Sequence, residues 1–252
     1  MRGARAVMLA MLTLTAALQV RPAAAATVSM AFGDNLPPYI LPQADGGIEV
    51  EVVRAALAYR GHVLEAHYLP MGRIPVSFKS HQVDAIMMDV GEDMTPQGGY
   101  YASPPVLYDN VFYTLKRSKL EIHRPQDLQG HTVLSFVGAA KRYPEWLQAI
   151  AHSGAYAENN HQEAQPMLLA LGRYDTVLSD RTIFQYYTLQ QQKRMPGFVM
   201  PEVEEHPFTE ANPQDYRPVF RDAAIRDDFN AGLAWLRRTG RYRAIYDKYL
   251  KK

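Results

Sequence analysis

The 252-residue sequence contains no cysteine, which excludes disulfide cross-links, thiolate metal sites and a cysteine nucleophile. It also lacks an excess of either charge: 27 basic and 26 acidic residues give a formal net charge of +1, and no charge block occurs. No strong field therefore draws the chain to nucleic acid or to an anionic membrane. The histidines are scattered, without H-x-x-x-H or H-E-x-x-H spacing, and neither a glycine-rich phosphate loop nor a G-x-S-x-G turn is present. These absences predict no metal, nucleotide or flavin cofactor.

The N-terminal residues pattern as an export signal. Arg2 and Arg5 form a positive n-region, Ala6 to Leu18 are uncharged and largely apolar, and Ala23 to Ala26 supply small residues for a peptidase. The apolar run is short against the roughly 20 residues a spanning helix needs. Cleavage is expected after Ala26, leaving Thr27 as N-terminus of a chain that diffuses freely in a periplasm, with no membrane insertion. Removing residues 1–26 takes away Arg2, Arg5 and Arg21 and no acid, so the net charge of +1 becomes −2.

What remains is rich enough in apolar residues for a globular core. Thr27 to Phe32 alternate like a strand, Ile48 to Tyr59 carry helical apolar spacing, and Val63 to Leu69 read as a strand. Ile74 to Ser80 predict a helix and Val83 to Met88 a strand. This order implies a mostly parallel sheet covered by helices. Val111 to Leu115 begin a second round. There, strands are expected at Thr132 to Val137, Tyr174 to Leu178 and Phe198 to Val203, and helices at Pro144 to Ala151, Glu163 to Leu171 and Thr182 to Gln192. Two helices, Ala223 to Thr239 and Tyr242 to Leu250, close the chain. The pattern supplies too few strand–helix repeats for a closed β/α barrel.

Several fragments then occur in a familiar order. They are Asp34-Asn35-Leu36-Pro37-Pro38-Tyr39, Gly47 to Val53, His81 to Ile86, Tyr101-Ala102-Ser103-Pro104-Pro105, Asp127 to Val133, and Leu236 to Leu250. In this order the sequence resembles the family 3 extracellular solute-binding proteins, although His81 stands where that family usually has glycine. The resemblance implies an α/β fold of two lobes, each with a mixed, mostly parallel sheet, and a ligand cleft between them. Residues 27–113 and 206–252 would form the first lobe and 114–205 the second, with crossovers near Val111 to Lys116 and Val203 to Pro207. Such a protein closes over its ligand by hinge motion.

The candidate ligand-binding residues follow from strand ends and from the resemblance. Asp34, Asp89 and Asp180 follow strands; Asp180 matches an aspartate that receives a ligand amine in the family, and could instead cap the next helix. Arg73 could face the cleft or remain a solvated loop charge. Gly138 and Ala139 form a small-residue turn whose N–H groups could hold an anion, with Lys141 and Arg142 close behind. Tyr39, Tyr101, Tyr108, Phe136 and Tyr143 could wall the cleft with rings, and Ser103 lies in the Tyr101–Pro105 segment. Relatives that bind amino acids hold the ligand carboxylate with an arginine just before that segment. Here Met94 to Tyr100 contain none, so a ligand other than a standard α-amino acid is expected.

The resemblance implies a monomeric binder that passes a small polar molecule to an inner-membrane transporter permease. Two alternatives stay open. One is an enzyme on the same fold, dehydratase-like, using Asp34, Asp89, Glu92 or Asp180. The other is an accessory binder serving a periplasmic partner such as a sensor or redox enzyme.

Overall fold

A computed structural model describes residues 25–87 and 91–251. Residues 1–24, which hold nearly all of the expected export signal, and the candidate Asp89 lie outside the described residues.

The first sheet combines β1 (Thr27–Gly33), β2 (Val63–Leu69), β3 (Ala85–Met87), β4 (Tyr100–Tyr101) and, from near the end of the chain, β10 (Pro218–Phe220). Its order is β2-β1-β3-β10-β4. The first three strands are mutually parallel, and β10 runs antiparallel to both of its neighbours. The second sheet holds β5 (Asn110–Leu115), β6 (Val133–Ser135), β7 (Tyr156–Glu158), β8 (Thr176–Asp180) and β9 (Val203–Pro207), ordered β7-β6-β8-β5-β9. Here β6 is parallel to β7 and β8, while β5 is antiparallel to β8 and β9. The expected crossover residues thus fall on β5 and β9, which pair side by side in the second sheet.

Each sheet is covered on both faces. In the first, Met30, Phe32, Phe220 and Phe229 join α1 (Ile48–Ala58) on one side, while Ala31, Ile86 and Val219 meet Ile74 and Phe78 of α2 (Ile74–Lys79) on the other. In the second, Phe112, Val133 and Leu178 face one core, and Val111, Tyr113, Leu134 and Val177 the other. This alternation is the period of two expected of strands. Helices α3 (Ala139–Arg142), α4 (Pro144–Leu147), α5 (Gln165–Ala170) and α6 (Arg181–Arg194) belong to the second half. The closing helices α7 (Ala223–Arg238) and α8 (Arg241–Leu250) return to the first lobe.

Local chemistry explains the helix starts. Asp222 caps α7 by accepting from the Ala224 and Ile225 N–H groups at 2.7 and 3.4 Å. Gly47, at φ +108°, precedes α1 where a Cβ would run into the Tyr39 carbonyl. Two expectations are corrected. The strand expected at Phe198 to Val203 instead occupies Val203–Pro207, because Pro196 and Pro201 remove backbone donors from the earlier segment, where Val199 is exposed. The helix expected over Pro144 to Ala151 ends at Leu147 and continues only as turns.

Helix α1 packs on α7, where a Cβ at Gly232 would overlap the Ala56 carbonyl. Gly232→Ala must push the two helices apart, and urea unfolding is expected to show a loss of about 3 kcal/mol, the upper end for overpacking. An unchanged midpoint would contradict this helix approach.

Candidate functional site

Strands β6 and β8 of the second sheet end at the same edge as the junction between the lobes, the place where open α/β sheets bind ligands. Asp180 terminates β8. Its Oδ1 accepts from the Thr182 and Ile183 N–H groups at 2.9 and 3.0 Å, capping α6. The same oxygen accepts from the Tyr39 hydroxyl of the first lobe at 3.1 Å, and Oδ2 accepts from the Asp109 N–H at 2.7 Å. Burial pushes this carboxyl up to about 6, against the pull of its backbone and tyrosine donors.

Behind Asp180 stands a stack of rings. Tyr39 lies 4.5 Å from Tyr108, and Tyr108 lies 4.2 Å from Tyr216, centroid to centroid. Tyr108 donates its hydroxyl to Glu49 Oε2 at 3.0 Å. Glu49 is buried in the first turn of α1, and burial lifts its carboxyl to about 7, partly offset by that hydrogen bond.

In front of the stack lies a cavity of about 70 Å³ lined from both halves of the chain: Leu36, Tyr108, Asn110, Phe136, Arg142, Gln162, Asp180, Ile183 and Tyr216. A second cavity of about 370 Å³ shares Tyr108, Asn110 and Arg142 and continues toward Lys141, Thr209, Glu210, Asn212 and Asp215. Arg142 stands on both walls. Its Nη2 bonds Asp215 Oδ2 at 2.6 Å, and its guanidinium lies 5.2 Å from the Tyr216 ring centre. A more apolar groove of about 460 Å³ lies between α1, α7 and α8, on one lobe only, and its charged Glu51 and Lys248 pair with each other.

The sequence matches the bacterial extracellular solute-binding proteins, family 3, over residues 28–252. The chain belongs to this family. No curated protein matches it. Similar folds include a polar amino acid ABC uptake transporter substrate binding protein from Streptococcus thermophilus, at 18% identity and TM-score 0.66, covering 90% of this chain and 86% of that one. The second substrate binding domain of GlnP from Lactococcus lactis, in its open conformation, matches at 21% identity and TM-score 0.59, covering 90% and 96%. A histidine kinase sensor domain with similarity to periplasmic binding proteins matches at 22% identity and TM-score 0.60, covering 89% and 96%. At these identities the likeness establishes the fold.

Within this solute-binding protein, the candidate residues divide by position. Phe136, Arg142 and Asp180 meet on one cavity wall, and Tyr39 backs them. Gly138 and Ala139 form the expected turn, but a side chain of the protein already uses it: Glu158 accepts from the Gly138 N–H at 2.7 Å and the Ala140 N–H at 2.9 Å. The Ala139 N–H bonds the Phe136 carbonyl. Tyr101 serves packing, its hydroxyl accepting from the Met94 N–H at 2.9 Å and its ring lying under Arg217. The Ser103 N–H is bonded to Asn230. Asp34 and Arg73 are exposed and line neither cleft cavity, and Glu92 pairs with Lys79.

Several wall residues escape a sequence reading: Asn110, Gln162, Ile183 and Tyr216 carry no motif of their own, and Leu36 lies in a quoted fragment without being singled out. Asp215 and Glu158 also went unforeseen, since only the fold brings them to Arg142 and to the Gly138 turn. Among the described residues, no three His, Asp or Glu side chains converge as a metal-ligand set.

Glu49 generates a pH prediction. Its folded pKa, about 7, lies above the ordinary value of 4.5, so the folded chain retains this proton more tightly than the unfolded one. The resulting stability is present below pH 4.5 and lost as pH rises through 7, a swing on the order of 3 kcal/mol. Glu49→Gln is expected to raise the unfolding temperature at pH 8 and flatten its decline between pH 5 and 8. A variant with the wild-type profile would remove Glu49 as the cause.

Proposed function

We propose that this family 3 protein captures a small polar solute in the cleft between its lobes and closes over it by a hinge motion. The observation that carries this reading is the cavity in front of Tyr108, whose wall draws Leu36 from the first lobe and Asn110, Phe136, Arg142, Gln162 and Asp180 from the second. A site shared by two lobes is completed only when they approach, so ligand binding favours the closed arrangement.

The export-like N-terminus and the family support a periplasmic location. No described helix is long and apolar enough to cross a membrane. Delivery to an ABC-type transporter is the partner reading that the family supports. The solute is other than a standard α-amino acid: Met94 to Tyr100 offer no arginine for its carboxylate.

The binding reading is preferred over catalysis because Asp180, the carboxylate on the wall of the smaller cavity, is engaged structurally. It accepts four hydrogen bonds, and Glu49, bonded to Tyr108, lines neither cleft cavity. A general acid or base needs reach to a substrate atom.

The test is a thermal-shift screen of residues 27–252 with amino acids, amines and polyamines, organic acids and small sugars, followed by calorimetry. One chemical class is expected to raise the unfolding temperature, because a ligand bound only to the folded state at 100 times its Kd adds about 2.7 kcal/mol. Absence of binding across all classes would count against solute capture.

A further inference from the structure

Each crossover between the lobes changes sides between two neighbouring residues. The first leaves β4 and stays on the first lobe as far as Tyr108. Its Ser103 N–H donates to Asn230, its Pro104 carbonyl accepts from Arg237, and its Pro105 carbonyl accepts from the Tyr242 hydroxyl, each at 2.9 Å. Val106 and Tyr108 pack in the first-lobe core, and Glu49 of α1 accepts the Tyr108 hydroxyl. Asp109, the next residue, is fastened to the second lobe. Its N–H donates to Asp180, its carbonyl accepts from the Arg181 N–H at 3.0 Å, and its carboxylate accepts from Arg181 Nε at 2.7 Å. Arg181 also reaches Glu205 on β9, whose other oxygen accepts from the Tyr113 hydroxyl of β5 at 3.2 Å. One guanidinium thus joins the incoming crossover to the outgoing strand.

The return crossover repeats the pattern in reverse. After β9, Phe208 packs its ring against Phe112, Tyr143 and Trp146 of the second lobe, at centroid distances of 4.7, 4.9 and 5.2 Å. Asp215 is still on this lobe: it bonds Arg142 of α3 at 2.6 Å and accepts from the Asn212 amide at 2.9 Å. Tyr216, the next residue, has crossed, and its ring packs on the first-lobe core beside Tyr108. Its φ of +51° is a left-handed conformation that a non-glycine residue keeps only where its surroundings hold it. The Tyr108 and Tyr216 rings lie 4.2 Å apart, so the two changes of side occur next to each other.

We propose that Arg181 and Arg142 are positioning residues for solute capture: each fastens one crossover to the second lobe through an aspartate, which confines closure to the Tyr108–Asp109 and Asp215–Tyr216 links. This rests on the proposed closure over a solute. It assigns residues 109–215 to the second lobe, beyond the bounds of 114 and 205 that the family resemblance implies. Strands β5 and β9 pair along their lengths, so bending within them would break ladder hydrogen bonds, whereas rotation at the two links breaks none of these. Two adjacent links also return the lobes to one mutual orientation, which brings Leu36 back to the wall that holds Phe136 and Arg142.

The test attaches spin labels to pairs of exposed positions and measures their separation by pulsed electron resonance. Gln214→Cys with Leu171→Cys lies within the second lobe in this assignment, and Gln214→Cys with Val76→Cys spans the lobes. On adding the compound that most stabilises the chain in the thermal-shift screen, the spanning distance is expected to shift and the other to stay. In the chain without added compound, Asp215→Asn is expected to broaden the Gln214–Leu171 distribution. Arg181→Gln, at a residue that lines neither cleft cavity, is expected to broaden the Val76–Leu171 distribution while the unfolding midpoint holds. Asp109→Asn breaks the same pair from its other side and is expected to act alike.

A Gln214–Leu171 distance that shifts while Gln214–Val76 stays would put the return link elsewhere and overturn the assignment. Folded Arg181→Gln and Asp109→Asn variants with the wild-type width would remove Arg181 as a positioning residue, and an unchanged Asp215→Asn distribution would do the same for Arg142. The wild-type comparison decides the links even where a variant does not fold. If no pair, Val76–Leu171 included, responds to any compound that binds, closure itself fails and this inference with it.

Discussion

The Asp180 carboxylate ties a strand end, a helix start and the junction of the lobes together. It ends a strand of the second sheet, caps α6, fixes the Asp109 N–H just before β5 begins, and accepts the hydroxyl of Tyr39 from the first lobe. A buried carboxylate without donors would be costly, so these partners must be in place together. Strand end, helix start and lobe junction are thereby made mutually dependent. Ile183, in the first turn of α6, extends the coupling by packing into the core of the first lobe, with Tyr187 beside it. Helix α6 grows from a strand of one lobe and leans on the other, so a change in lobe separation must be felt at its N-terminus.

Much of the architecture was legible because it follows from period and punctuation. The alternation of Thr27 to Phe32 predicts β1, and the apolar positions of Ile48 to Tyr59 predict α1; both form nearly as expected. The two-lobed α/β class was also readable, from the restart of the strand–helix pattern. Three of the short strands were not. Tyr100–Tyr101, Tyr156–Glu158 and Pro218–Phe220 are too short to display a period, and β10 exists because β3 and β4 offer it partners on both sides. Its place in the first sheet is a tertiary fact with no local signature. The charged segment Val203–Pro207 is likewise a strand by pairing with β5, at an edge where Glu204 and Glu205 are tolerated.

The cleft was legible only in part, for a similar reason. Residues at strand ends, such as Phe136 and Asp180, can be placed from the order of elements. Asp180 was read as either ligand contact or cap, and the structure gives it the cap together with a place on the cavity wall. The Gly138 turn was recognised as a seat for an anion, but the occupant comes from Glu158, twenty residues on. Asp215 reaches Arg142 from the segment between β9 and β10, 73 residues away. No spacing rule connects such pairs. Of the two pairs, Arg142–Asp215 stands on the wall of the larger cleft cavity, and it is visible only once the chain is folded.

The central claim is that two lobes joined through the Asp180 region close on a solute. The absence of cysteine permits a direct measurement, because spin labels can be attached at Val76→Cys on α2 and Leu171→Cys after α5, both exposed positions in different lobes. Their separation would be measured by pulsed electron resonance, with and without the compound that stabilises the chain most. The account predicts a shorter, narrower distance distribution on saturation. A compound that binds tightly while leaving that distribution unchanged would contradict it.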